Sequence, residues 1–184
     1  RLVFDEFFLF IMGMQYQKEK RTRQENRFVM EHPEFVEDLI QKLPYELTGA
    51  QRRALHDVTE NMQGPYAMQR LIQGDVGSGK TILAFLAMAW CAQNGYQSAI
   101  MAPTEVLAQQ HYETFQQFYK GLPIRVAYLS GQTKTSERNE ILEKLAKGEI
   151  DVLIGTHALI EKDVIFAHLG LVITDEQHRF GVKQ

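Results

Sequence analysis

The sequence predicts an α/β fold of three layers: a mainly parallel sheet covered by helices on both faces and preceded by N-terminal helices. Three observations carry this. From Arg70 onward, short and nearly continuous apolar runs alternate with amphipathic helical patterns, and strands apolar along their whole length belong to parallel sheets buried on both sides. A glycine-rich stretch, GDVGSGKT at residues 74–81, stands between one such run and a helix rich in Ala, Leu and Met. Another run, residues 171–174, ends in the paired carboxylates Asp175 and Glu176, and the C-terminal ends of parallel strands are where ligands gather in open sheets.

Residues 1–30 read as one helix, because Phe4, Phe7, Phe8, Ile11, Met12 and Tyr16 recur at helical spacing and nothing interrupts before His32 and Pro33. The charged run QKEKRTRQENR at residues 17–27 reads as a solvated helix face rather than a DNA-tracking patch. FFLFIMGM, residues 7–14, is too short to cross a bilayer and follows Asp5 and Glu6 instead of a basic region, so it is neither a membrane span nor a signal peptide. Pro33 suits the first turn of a short helix ending near Lys42. The expected organisation is a helical linker or appendage over 1–44 and an α/β body over 45–184. Within the body, strands are expected at 70–73, 98–102, 124–129, 151–154 and 171–174, with helices at 79–93, 105–119 and 136–147.

With 184 residues, 45% of them hydrophobic, the chain can bury one α/β core. Its net charge of −3 excludes a polyanion binder that works by bulk charge. Any nucleic-acid contact must be local, made by a few basic groups and backbone N–H donors. The single cysteine, Cys91, lies in the apolar stretch AFLAMAWCAQ and reads as a buried thiol; a disulfide framework is excluded and the cytoplasm is the default compartment. The first residue is Arg1, with a helical pattern already under way, which suggests a piece of a longer polypeptide.

Residues 74–81 have the composition of a phosphate cradle. Gly77 and Gly79 let the backbone curl until successive N–H groups, with those of Gly74, Asp75, Val76 and Ser78 around them, face phosphate oxygens at a helix N-terminus. Lys80 would neutralise the β and γ phosphates of ATP and the Thr81 hydroxyl would ligand Mg²⁺. The complementary half is Asp175, placed to hold Mg²⁺ directly or through water, and Glu176, placed to orient or deprotonate the attacking water. His178 by itself reads as a surface or capping histidine.

With the phosphate loop and DEQH at residues 175–178 together, the chain resembles the first RecA-like motor domain of superfamily 2 helicases from about Leu47 to Gln184. LTGAQ at 47–51 looks like the adenine-reading segment; APTEVLAQQH at 102–111 and GTHAL at 155–159 look like the strand-contacting motifs. Within the superfamily the resemblance is finest to the RecG family of ATP-dependent DNA helicases, in RLIQGDVGSGKT, APTEVLAQQHYETF, IGTHALI and DEQHRFGVKQ. The Mfd family of double-strand translocases shares GTH and HRFGV but usually reads Asp-Glu-Glu-His, so Gln177 favours RecG.

The RecG resemblance implies a P-loop NTPase using ATP and Mg²⁺ on branched DNA, regressing forks and migrating Holliday junctions in repair and recombination. It places DNA contacts at Thr104, Glu105, Gly155, Thr156 and His157, and gives His178 the task of passing nucleotide state to a partner domain. A wedge domain, the second RecA-like domain and its arginine finger would lie beyond these residues, leaving half of a two-part ATPase that binds ATP but barely hydrolyses it. Gln51 carries two readings: with Thr48 it forms a capping box, or its amide reads adenine, which its place upstream of Gly74 favours. A kinase or simple nucleotide-binding module fits poorly, since neither requires LTGAQ before the loop nor the Asp-Glu-x-His box after it.

Overall fold

The computed structural model of this chain describes residues 24–75 and 77–176. Four strands, β1 (Gln97–Met101), β2 (Val126–Leu129), β3 (Val152–Gly155) and β4 (Leu169–Thr174), form one parallel sheet in the order β2-β3-β1-β4. Ser98 stands beside Val152 and Ala99 beside Val172, while Val126 on the far side also faces Val152. Five helices accompany them: α1 (Glu34–Gln41), α2 (Gly49–Gln63), α3 (Lys80–Gln93), α4 (Glu105–Phe118) and α5 (Thr135–Ala146).

The central strands β1 and β3 are buried on both faces, as their continuous apolar runs require, while the edge strand β4 leaves Val172 exposed. Ile100, Val152 and Ile154 enter one core with α3 and with Phe115 of α4; Ala99 and Leu153 enter a second with Leu129 and Leu145. This is the period of two expected of strands packed on both sides. The connection from β1 through α4 to β2 crosses outward over β3, and the connection from β2 through α5 to β3 returns. Two right-handed crossovers running in opposite directions must lie on opposite faces, which is why α4 and α5 belong to different cores.

Helix α3 is apolar around its circumference, with Ile82, Leu83 and every residue from Phe85 to Cys91 buried, so it must be covered on all sides. The sheet covers one side; Val36, Leu39 and Ile40 of α1 and Leu55, Val58 and Met62 of α2 cover another. Cys91 is fully buried, and that burial pushes its thiol up to about 12. Gln97, 3% exposed, is a buried polar residue with both ends of its amide satisfied: Nε2 donates to the carbonyls of Leu145 (3.0 Å) and Ile150 (2.7 Å), and Oε1 accepts from the His168 N–H at 2.9 Å.

Two expected elements differ. Residues 24–30 do not continue a helix; they run irregularly, with a bridge between Glu25 and Tyr66. Asn26 donates to the carbonyls of Met62 (3.0 Å) and Gly64 (2.9 Å), Trp90 Nε1 donates to the Glu31 carbonyl at 2.7 Å, and Asn94 Oδ1 accepts the Glu31 N–H at 2.7 Å. The segment is thus a strap across the ends of α2 and α3, and these tertiary bonds override helix propensity. The rest of that expected helix, residues 1–23, lies outside the described residues.

The apolar run 70–73 is likewise not a strand. Arg70 is drawn to α2 by bonds to Asp57 (2.8 Å) and Asn61 (3.4 Å), and Leu71 is 75% exposed. The run lines the same cleft as β4 without ladder bonds, and an extended run becomes a strand only where a partner edge takes its N–H and C=O groups. The other expected strands and helices fall within about two residues of expectation, the usual uncertainty at element ends, while α2 is a helix for which the sequence sets no bounds beyond its capping box.

Candidate nucleotide site

The loop 74–80 turns through two left-handed glycines, Gly77 at φ 79° and Gly79 at φ 75°, the latter serving as N-cap of α3. Only glycine takes this backbone without strain, and a Cβ on Gly79 would also collide with Gln51 Nε2. Lys80 and Thr81, in the first turn of α3, line the cleft with the positive end of the helix dipole behind them. Gly74, Asp75, Gly77 and Ser78 are exposed, and Val76 lies outside the described residues. Lys80 bends back over the loop, its Nζ donating to the carbonyls of Gly74 (2.6 Å) and Asp75 (2.7 Å) and more distantly to Ser78 Oγ at 3.4 Å.

Gln51 shows how a cap and a loop contact are made by one side chain. The Thr48 N–H donates to Gln51 Oε1 (2.8 Å) and the Gln51 N–H to Thr48 Oγ1 (3.2 Å), completing the capping box of α2. Its Nε2 then donates to the Ser78 carbonyl at 2.8 Å. One lone pair on Oε1 and one hydrogen on Nε2 remain, so the cap leaves the amide able to pair with a base edge.

On the opposite wall, β4 delivers Asp175. Its N–H donates to the Met101 carbonyl (2.9 Å), continuing the β1–β4 ladder by one residue, while Oδ1 accepts the Glu176 N–H at 2.9 Å and Oδ2 lies 2.8 Å from His111 Nε2. Glu176 follows at φ 46°, a conformation unusual for a residue with a side chain and one that turns the chain sharply at the strand end. Contact with His111 is the main cause holding the Asp175 carboxyl below its ordinary value, against the effect of burial, with the charge of Lys80 contributing in the same direction. Lys80, Thr81, Asp175 and Glu176 line one cleft. Its volume of about 1780 Å³ exceeds the ~300–1,000 Å³ of a small-molecule pocket, because it continues from the phosphate loop along the β4 edge past Leu71 and Val172.

Oxygen donors from Thr81 and Asp175 on the walls of one cleft suit a hard cation such as Mg²⁺, which takes one or two protein ligands and keeps its other sites for water and phosphate. Among the described residues no group of three or more His, Cys, Asp or Glu side chains converges as a metal cage. His178, with Gln177, lies outside the described residues.

The residues expected to touch DNA divide into two kinds. Thr104 is exposed and caps α4, accepting the Leu107 N–H at 3.3 Å, with Glu105 partly exposed beside it. His157 is exposed in the 3-10 turn His157–Ile160. Gly155 and Thr156 are buried. A Cβ on Gly155 would collide with the Leu129 carbonyl and Leu159 Cδ1, and the Thr156 N–H donates to that same carbonyl at 3.3 Å.

His111 was not singled out as a site residue from the sequence. The trace it leaves there is a polar residue at helical spacing on the apolar face formed by Ala108 and Phe115.

A family profile described as DEAD/DEAH box helicase matches residues 48–184. The chain belongs to that family. Over all of its length it is 46% identical to the ATP-dependent DNA helicase RecG of Synechocystis sp. and 47% identical to that of Bacillus subtilis, covering 22% and 27% of those proteins. It thus spans about a quarter of the length of these curated relatives. A solved structure of RecG bound to a three-way DNA junction superposes with a TM-score of 0.80 at 45% identity, over 91% of this chain and 23% of that one. The UvsW helicase of bacteriophage T4 shares the fold, with a TM-score of 0.58 at 16% identity, over 85% of this chain and 53% of that one. No helix among the described residues is long and apolar enough to cross a membrane.

Proposed function

We propose that this chain is the ATP-binding half of a RecG-type ATP-dependent DNA helicase, acting on branched DNA such as forks and Holliday junctions in repair and recombination. The observation that carries the reading is the convergence of Lys80 and Thr81 with Asp175 and Glu176 on one cleft. Similarity along this chain to about a quarter of the length of RecG helicases, one of them in complex with a three-way junction, supports the choice of substrate. In this reading residues 45–184 are the motor domain, residues 1–44 the link preceding it, and the protein works in the cytoplasm.

The loop residues Gly74, Asp75, Val76, Gly77, Ser78 and Gly79 bind the phosphates through their N–H groups, and Lys80 exchanges its loop carbonyls for phosphate oxygens, which as anions are the stronger acceptors. Gln51 reads the adenine with the hydrogen and lone pair its cap leaves over. Thr81 and Asp175 hold Mg²⁺, which neutralises phosphate charge. Glu176 orients the attacking water, and His178 reports the nucleotide state to a second motor domain. DNA is met by Thr104, Glu105 and His157, with Gly155 and Thr156 shaping the backbone beneath.

Equilibrium binding of a fluorescent ATP analogue in Mg²⁺ tests this. Binding should be lost in Lys80→Ala and nearly intact in Glu176→Gln, which removes a water-orienting group and not a phosphate ligand. Binding by Lys80→Ala within about twofold of wild type, less than ~0.4 kcal/mol, would sink the reading.

A further inference from the structure

His111 occupies a position no part of the ATP reading uses. It sits on the buried face of α4, 9% exposed, with its ring edge-on to Phe85 of α3 at a centroid distance of 6.4 Å and 84° between planes. Phe85 is itself locked against Phe115, 4.7 Å away. Packed in this way the imidazole has one orientation, and that orientation puts Nε2 2.8 Å from Asp175 Oδ2. The other carboxylate oxygen accepts the Glu176 N–H. An ionised carboxylate only accepts hydrogen bonds, so Nε2 carries the hydrogen. Each oxygen of Asp175 then has one protein donor and at least one lone pair left over.

We propose that His111 is the positioning residue that presents Asp175 to the divalent cation of the bound nucleotide. The proposal rests on the ATP reading above. A partner that orients a metal-binding carboxylate contributes about 10–100-fold in metal affinity, whereas a histidine that only fills space between α3 and α4 contributes nothing to it and is replaceable by an apolar side chain.

The experiment uses the 184-residue chain and a fluorescent ATP analogue, with affinity measured in Mg²⁺ and in EDTA, and thermal melting as the check on folding. His111→Leu keeps the bulk beside Phe85 and removes the donor. It should cut the Mg²⁺-dependent gain in affinity by about 10-fold or more while leaving the affinity in EDTA unchanged. His111→Gln, whose amide nitrogen reaches the place of imidazole Nε2, should restore most of the gain. In wild type, the ¹⁵N signal of the His111 ring should show hydrogen on Nε2 and should shift when Mg²⁺ and nucleotide are added together.

A wild-type Mg²⁺ gain in His111→Leu overturns the proposal, as does equal loss in His111→Leu and His111→Gln, or a ring signal that ignores Mg²⁺ and nucleotide. If His111→Leu melts below the working temperature, His111→Gln and the ring signal decide alone. Asp175→Ala separates the two levels. If it abolishes the Mg²⁺ gain and His111→Leu does not, only the positioning role falls. If Asp175→Ala leaves the gain intact, the ATP reading of this carboxylate falls and the role of His111 with it.

Discussion

Gln97 and Lys80 both spend their side chains on backbone carbonyls, and they stand for two regions built on opposite terms. Gln97 is buried at the start of β1, with three bonds to groups in fixed elements or their connections. Lys80 opens α3 and bends back over an exposed loop, where its partners are the carbonyls of Gly74 and Asp75. An unmet carbonyl around Gln97 has no water to turn to, so those bonds hold permanently. The carbonyls under Lys80 are open to solvent and surrender their donor at little cost. The sheet interior keeps its polar bonds, and the cleft holds its own ready for exchange.

Lys80→Ala should break the exchangeable side of the comparison with the largest effect: nucleotide affinity falls by roughly 100-fold or more, in line with losing charge-assisted bonds of ~1.5–3 kcal/mol, with little change in unfolding free energy by urea titration. On the permanent side, Gly155→Ala should cost about 1–3 kcal/mol by urea titration, because its methyl has to displace the Leu129 carbonyl or Leu159. Gln97→Leu should cost about 1–3 kcal/mol by the same measurement, since the Leu145 and Ile150 carbonyls and the His168 N–H lose their partner, and it should leave nucleotide affinity unchanged.

A smaller effect sharpens the same contrast through pH. The Cys91 thiol is raised from 9.0 to about 12 by burial, so between these values the unfolded chain ionises and the folded chain does not. Its contribution to stability is intact below pH 9.0 and declines as the pH rises toward 12. Comparing wild type with Cys91→Ala should show the wild type losing stability faster over that window, and the native thiol should react with a disulfide reagent only as fast as the protein opens. The smallest effect is expected at the hinge between the two regions. Gln51→Glu keeps the acceptor for the Thr48 N–H and loses the donor to Ser78, so α2 stays capped while the preference for ATP over GTP narrows; unchanged preference would assign Gln51 to the cap alone.

Most of the architecture was legible beforehand because it rests on periodicity. Residues 152–154 are apolar throughout and alternate between two cores, and a run this short between turn signals suits a strand covered on both faces. The phosphate loop was legible for a different reason: Gly77 and Gly79 allow left-handed backbone that other residues resist, so their spacing is itself a conformation. The run 70–73 reads as a strand only through its apolar pair Leu71 and Ile72, and strand formation depends on a partner edge and not on the run. Residues 24–30 were misread as helix because the pull of Met62, Gly64, Trp90 and Asn94 comes from distant positions in the chain.

The DNA-side residues show the boundary in miniature. Thr104, Glu105, Gly155, Thr156 and His157 were grouped by motif, and the fold separates exposed Thr104 and His157 from buried Gly155 and Thr156. Nothing local distinguishes them, since burial is a property of what packs against a residue.

What the sequence by itself determined about this protein is its set of parts: two-faced strands, a helix apolar on all sides, a glycine turn before a lysine, and two adjacent carboxylates. These follow from interactions within a few residues, where spacing and side-chain chemistry suffice. Only the tertiary structure decided which distant parts meet. That His111 reaches Asp175 across 64 positions, that Gln51 serves both a cap and the phosphate loop, and that Arg70 turns to α2 and not toward β4, each depend on how helices settle on the sheet. Hydrogen bonds reach about 3 Å, and only packing brings groups so far apart in the chain within that distance.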